Sequence, residues 1–192
     1  MAVAYFITHP EVVIDPFVPV SDWRLSSIGI RRIALMLSQP WVSGVRAVFS
    51  SAERKAVEAA QMVADHQSLS PIVIDGLGEN DRSATGYLPW VEFEMVADNF
   101  FACPEESVRG WERAIDAQRR IAEAVNRAIS LAAADADMAI ISHGAVGALL
   151  LCHLKGVPIS RREDQPTGGG GNIYSFDLAT RRLLTGWHRI DE

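Results

Sequence analysis

Short apolar runs and longer amphipathic stretches take turns along this chain. Four runs rich in β-branched or aromatic residues, Val3 to Ile7, Val45 to Phe49, Ile72 to Ile74 and Met138 to Ile141, have the length and composition of buried strands. Between them, Ile28 to Leu37 and Ala52 to Ala64 repeat their apolar residues at helical spacing, the second with Ala56, Ala59, Ala60 and Val63 on one side. A further stripe, Val108, Trp111, Ile115, Ile121, Val125 and Ala128, predicts a helix from about Ser107 through Leu131 with that stripe in the core. Trp90 to Phe101 carries another helical pattern, which Cys103-Pro104 breaks. Strand alternating with helix predicts an α/β three-layer sandwich, a mostly parallel sheet with helices on both faces.

The polar punctuation adds detail. Ser50 followed three residues later by Glu53 has the form of a capping box, so the second helix is expected to begin where the second strand ends. Gly76 to Pro89 is turn-rich, and with the helical pattern after it forms an insertion suited to cover a site. Arg161 to Gly171 is a second polar loop, ending in four glycines, after which Asn172 to Phe176 and Leu183 to Trp187 read as a closing strand pair. Gly168 to Gly171 is no Walker loop, because no Lys-Ser/Thr follows and a strand comes next; a flexible loop is expected. Without a repeat or linker, residues 1–192 are expected to form a single domain.

Composition narrows the function. A chain of 192 residues, 48% apolar, is long enough for one substantial core and short for two. Its formal charge of −6 leaves no diffuse basic field for nucleic acid or an anionic membrane, so any anion must meet a local cluster. The two cysteines, Cys103 and Cys152, sit in no CxxC or metal-ligand spacing, which fits a reducing, cytoplasmic setting. The N-terminal apolar run from Met1 stops at Thr8-His9-Pro10, too soon for a signal peptide or a membrane span. His66 and His188 are expected at the surface and His153 in the core, and Glu105-Glu106 reads as helix-start charge rather than a metal site.

The strand ends carry the chemistry, because ligands of open parallel sheets gather beyond the carboxyl ends. The first strand ends in Thr8-His9-Pro10, the second in Ser50-Ser51, and the fourth in Ser142-His143-Gly144, the last two opening helices. Two imidazoles and two helix N-termini can therefore converge on an anion. One imidazole can attack phosphorus covalently while the second and nearby cations neutralise the transferred oxygens.

These residues resemble, in order, the motifs of the histidine phosphatase (phosphoglycerate mutase-like) superfamily. Its Arg-His-Gly after the first strand corresponds to Thr8-His9-Pro10, and its Ser-Ser-x-x-x-Arg-Ala to Ser50-Ser51 through Lys55-Ala56. Its Leu-x-Glu acid corresponds to Leu77-Gly78-Glu79 and its Ser-His-Gly to Ser142-His143-Gly144, while Trp23-x-Leu25-Ser26-x-x-Gly29 resembles the segment before its first helix. The resemblance implies a phosphoglycerate mutase-like fold, no metal or cofactor, and a small phosphoester as ligand. It implies His9 as nucleophile, Glu79 as proton donor and His143 as transition-state stabiliser.

The chain also departs from the motif. Thr8 stands where an arginine is expected, Pro10 where a glycine is, and Lys55 where the second arginine is. Threonine offers one hydroxyl and lysine a point charge where arginine offers a fork. Thr8 and Lys55 thus become candidate phosphate ligands, with Arg54 and Arg82 the nearest possible replacements. Two readings stay open, a cofactor-independent phosphomonoesterase and a phospho-ligand-binding or regulatory protein with a degenerate site. A mutase would need further cations for a second phosphate. Phe17, Trp23, Tyr87 and Trp90 in the covering segments suggest an apolar or planar leaving group.

Overall fold

The structure, a computed structural model, describes residues 2–133 and 135–192; Met1, which opens the N-terminal apolar run, lies outside them. Among these residues, β1 (Val3–Thr8), β2 (Val45–Ser50), β3 (Ile72–Val73), β4 (Asp137–Ser142), β5 (Asn172–Asp177) and β6 (Leu183–Arg189) form one sheet in the order β3-β2-β4-β1-β5-β6. The first four run parallel, and β5 and β6 close the sheet as an antiparallel pair. The helices are α1 (Ser27–Met36), α2 (Arg54–His66), α3 (Trp90–Ala102), α4 (Ala114–Leu131) and α5 (Gly144–Lys155). None of the described helices is long and apolar enough to cross a membrane.

Alternation along the strands divides the core into two. Phe6, Phe49, Met138 and Ile140 pack with Phe100 of α3, Ile121 and Val125 of α4 and Leu149 of α5. Their neighbours Ile7, Val48, Ala139 and Ile141 face the other way, toward Ile33 and Met36 of α1 and Ala56, Ala60 and Val63 of α2. Successive strand residues point to opposite faces, so one apolar run serves two helical layers. This is the expected three-layer α/β sandwich.

Strand register places the site. Thr8 pairs with Ser142, and His9 N–H continues the ladder to Ser142 C=O at 3.0 Å. Ser50 pairs with Ile141, and Ser51 N–H reaches Ile141 C=O at 3.2 Å. Three neighbouring strands therefore release Ser51, His143 and His9 at one edge.

Several elements differ from expectation. No capping box forms, because β2 stays extended through Ser50, and Glu53 is itself the N-cap of a helix that opens at Arg54 rather than Ala52. The long helix starts at Ala114 instead of Ser107: Arg109 (φ 53°) and Gly110 (φ 82°) turn the chain left-handed, and a Cβ on Gly110 would lie 2.8 Å from Ala84. Ile115 is consequently exposed, with Ala114 and Ala117 buried in its place. The third strand is a two-residue edge strand with Ile72 and Val73 exposed, because only β2 flanks it. His153 is exposed rather than buried, since α5 packs on the sheet through Leu149 to Cys152 and leaves it on the outer side. His66 and His188 are exposed as expected.

The four glycines do more than connect. Gly168 to Gly171 all have positive φ, and Gly171 N–H donates to His9 C=O at 3.0 Å. A Cβ on Gly170 would sit 2.3 Å from that same carbonyl oxygen, so a side chain there would push the His9 backbone away. Buried Arg32 clamps the run from behind, donating to Gly170 C=O at 2.9 Å and Gly171 C=O at 2.8 Å while pairing with Glu11 and Asp191.

Candidate active site

The His9 and His143 rings stand 5.1 Å apart between centroids, with their planes inclined by 69°. His9 Nδ1–H donates to the Pro10 carbonyl at 2.9 Å, an acceptor that fixes the proton there and leaves Nε2 with a free lone pair. Burial, aided by the positive Lys55 and only partly opposed by the Pro10 carbonyl, lowers its pKa from 6.5 to about 4. The ring is therefore neutral at ordinary pH.

His143 is fully buried, and its Nε2 lies 2.7 Å from Ser51 Oγ and 3.2 Å from a Glu53 carboxylate oxygen. The nearby carboxylate, able only to accept, favours the proton on Nε2. Nδ1 then has no hydrogen-bond partner among the described residues. Burial holds this imidazole neutral, well below its usual pKa, against the attraction of Glu53.

Glu53 is the residue that sequence reasoning misassigned. Its carboxylate pairs with Lys55 and accepts Glu79 N–H at 2.8 Å. Burial alone would raise its pKa; His143, Lys55 and the Glu79 amide reverse that and lower it from 4.5 to about 2. Lys55 is buried, held between Glu53 and the Val20 carbonyl at 2.8 Å.

Glu79 sits at the N-terminus of α5, accepting from Val146 N–H at 3.1 Å and Ala145 N–H at 3.3 Å. Its carboxyl thus occupies amides that the sequence suggested for a phosphate. Burial raises its pKa, with Arg82 opposing and Glu53 reinforcing the shift. The turn bearing it is fixed from two sides. Ser142 Oγ donates to Leu77 C=O at 2.7 Å. From α4, Arg120 donates to Gly76 and Gly78 carbonyls, each at 2.9 Å, and to Glu79 C=O at 3.1 Å, itself paired with Glu112.

The candidate phosphate ligands are distributed unevenly. Thr8 is buried, donating to Gln165 Oε1 at 2.8 Å and accepting Asn172 N–H at 2.9 Å. Arg54 turns outward to Glu58 at 2.8 Å and does not line the cavity at His9. Arg82 lines the cavity with Thr8, His9 and Glu79, its guanidinium 5.1 Å from the Phe93 ring centroid and paired with no carboxylate among the described residues. That cavity, about 250 Å³, opens from His9 between the glycine run and α3. Gln165, Asn172 and Arg120 carried no signal in the sequence, since their roles come from distant partners.

A family model described as the histidine phosphatase superfamily (branch 1) matches residues 13–182. The chain belongs to that superfamily. The matched span begins just after Thr8-His9-Pro10, the segment in which this member departs most from the family motif. Among solved structures of histidine phosphatase fold, a mycobacterial glucosyl-3-phosphoglycerate phosphatase with inorganic phosphate superposes with a TM-score of 0.80 at 15% identity, covering 100% of both chains. YhfR of Bacillus stearothermophilus gives 0.74 at 21% identity, covering 96% of this chain and 95% of its own. The phosphoserine phosphatase of Entamoeba histolytica, in complex with 3-phosphoglyceric acid, gives 0.73 at 17% identity and covers 100% of both. At these identities the likeness establishes the fold. A search of curated protein sequences finds no match.

Proposed function

We propose that this histidine phosphatase superfamily member hydrolyses phosphomonoesters through a phosphohistidine on His9. The observation that carries the reading is the neutral His9 ring, with Nε2 free, beside a His143 whose Nδ1 has no partner among the described residues. A buried nitrogen without a partner needs an explanation, and a phosphoryl oxygen between the two imidazoles supplies one once His143 takes up a second proton on Nδ1, a form that the anion itself and the nearby Glu53 favour.

In the first step the Nε2 lone pair of His9 forms a bond to phosphorus as the phosphorus–oxygen bond to the leaving group breaks. Glu79 in its acid form, which burial favours, passes its proton to the departing oxygen. Water then attacks the phosphohistidine, and Glu79, now a carboxylate, takes its proton, regenerating His9 and releasing phosphate. Arg82 supplies positive charge to the transferred oxygens. Thr8 and Lys55 shape the floor and contact phosphate only if they give up their present partners.

Incubation with a panel of phosphomonoesters tests this: turnover accompanied by an acid-labile phosphohistidine is expected, both lost in His9→Ala. Equal turnover in that variant sinks the proposal. One feature supports a second reading, a phosphate-binding or regulatory protein. Lys55 is already compensated by Glu53, and the Thr8 hydroxyl is committed to Gln165. Phosphate binding with no phosphohistidine and no turnover would select it.

A further inference from the structure

Beside the phosphate end lies a second hollow, about 190 Å³, walled by Val20, Trp23, Tyr87, Leu88, Trp90 and Phe93. The two hollows share Arg82, Trp90 and Phe93, so a ligand whose anionic end rests at His9 and Arg82 has its other end against this wall. The wall is built from ring pairs: Trp23 lies 5.8 Å from Tyr87, and Trp90 lies 6.4 Å from Phe93 in stacked orientation. Trp23 is fixed in place, its indole N–H donating to Asp15 C=O at 2.9 Å and Val18 C=O at 3.1 Å. A dry apolar cavity of ~150 Å³ takes up benzene, so this volume suits one substituted ring.

Charge excludes leaving groups that carry a second anion. The remaining arginine of the phosphate-end cavity, Arg161, is bound by Asp98, by Glu94 at 2.8 Å and by Asp164 at 3.4 Å. Arg82 is thus the one described cation lining either hollow that has no carboxylate partner, and the phosphoryl group needs it. A second carboxylate or phosphate on the substrate would meet Glu94 and Asp164 with no free cation to offset them.

We infer that the aromatic hollow binds the leaving group, and that the substrates are phosphomonoesters of aromatic alcohols carrying no second anionic group. This rests on the reading of His9 as the phosphate end. Two unhydrolysable probes separate the claims, phenylphosphonate and methylphosphonate, titrated calorimetrically into the full chain. Phenylphosphonate is expected to bind at least about tenfold tighter, and that ratio is expected to fall at least about threefold in Trp90→Ala and in Tyr87→Ala while Trp90→Phe retains it. Trp90 is 66% exposed, so its truncation leaves the core intact.

Equal affinities, no detectable binding of either probe, or a preference untouched by both alanine variants would overturn the inference. A preference that persists while phenyl phosphate is never hydrolysed would leave the aromatic site standing and remove the phosphatase reading. Hydrolysis of glycerol phosphate as fast as phenyl phosphate, with equal phosphonate affinities, would do the reverse.

Discussion

Beneath the cavity Lys55 already has its opposite in Glu53, and the Glu53 carboxylate also meets the His143 ring and the Glu79 amide. On the wall, Arg82 lies over the face of Phe93 and makes no ion pair among the described residues. Both regions contain cations close to His9, yet they differ in what is left to attract an anion. A buried, compensated pair has spent its field on itself, whereas a guanidinium on an aromatic ring keeps its donors available. In the proposed function, with Thr8 and Lys55 in place of the motif arginines, the electrostatic work passes from the strand ends to the covering insertion.

The contrast between floor and wall breaks most severely at His9, the proposed nucleophile they share. His9→Ala is expected to lower phosphomonoester turnover at least ~10⁴-fold, measured on the folded variant. Next comes the floor itself: Glu53→Ala strands Lys55 as a buried charge and is expected to cost ~3–5 kcal/mol in urea unfolding. Adding Lys55→Met should restore much of that loss; a single variant as stable as the parent would show that the pair is not what holds the floor.

On the wall, Arg82→Ala is expected to lower kcat/KM by ~10²–10³ without comparable loss of stability. A drop of that size in stability instead would assign Arg82 a packing role. A smaller effect is pH-dependent. His9 titrates at about 4 in the folded chain against 6.5 when free, so the unfolded chain binds more protons between those values and stability falls as pH drops through them. Glu53, ionised down to about 2 in the folded chain against 4.5, continues the fall with the same sign, while Glu79, raised, opposes it above 4.5. His143, also lowered from 6.5, adds a fall of the same sign, so urea midpoints across this range check the slope and His9→Asn is expected to reduce its upper part without removing it. The smallest effect belongs to Arg54→Ala, whose exposed pair with Glu58 predicts less than about a twofold change in activity.

Much of the fold was legible because it rests on periodicity. Strand runs such as Val45 to Phe49 and the Trp90 helix stand where their patterns predict, since one apolar face must be buried whatever its partner. The errors fall where local spacing competes with tertiary contact. Ser50 and Glu53 have capping-box spacing, but β2 keeps pairing through Ser50 and Glu53 turns toward Lys55 and His143. The stripe from Val108 carries helical periodicity past Gly110, whose left-handed backbone fits against Ala84. His153 looked like core because its neighbours are apolar, yet it projects from the outer side of α5.

By itself the sequence determined the layer order and the positions at which chemistry could sit, because strand ends are set by where hydrophobic runs stop: Thr8-His9, Ser50-Ser51 and Ser142-His143. The tertiary structure alone decided which charged groups are compensated. Ion pairing depends on distance and burial, and no spacing along the sequence encodes that Lys55 is turned inward onto Glu53 while Arg82 makes no ion pair among the described residues.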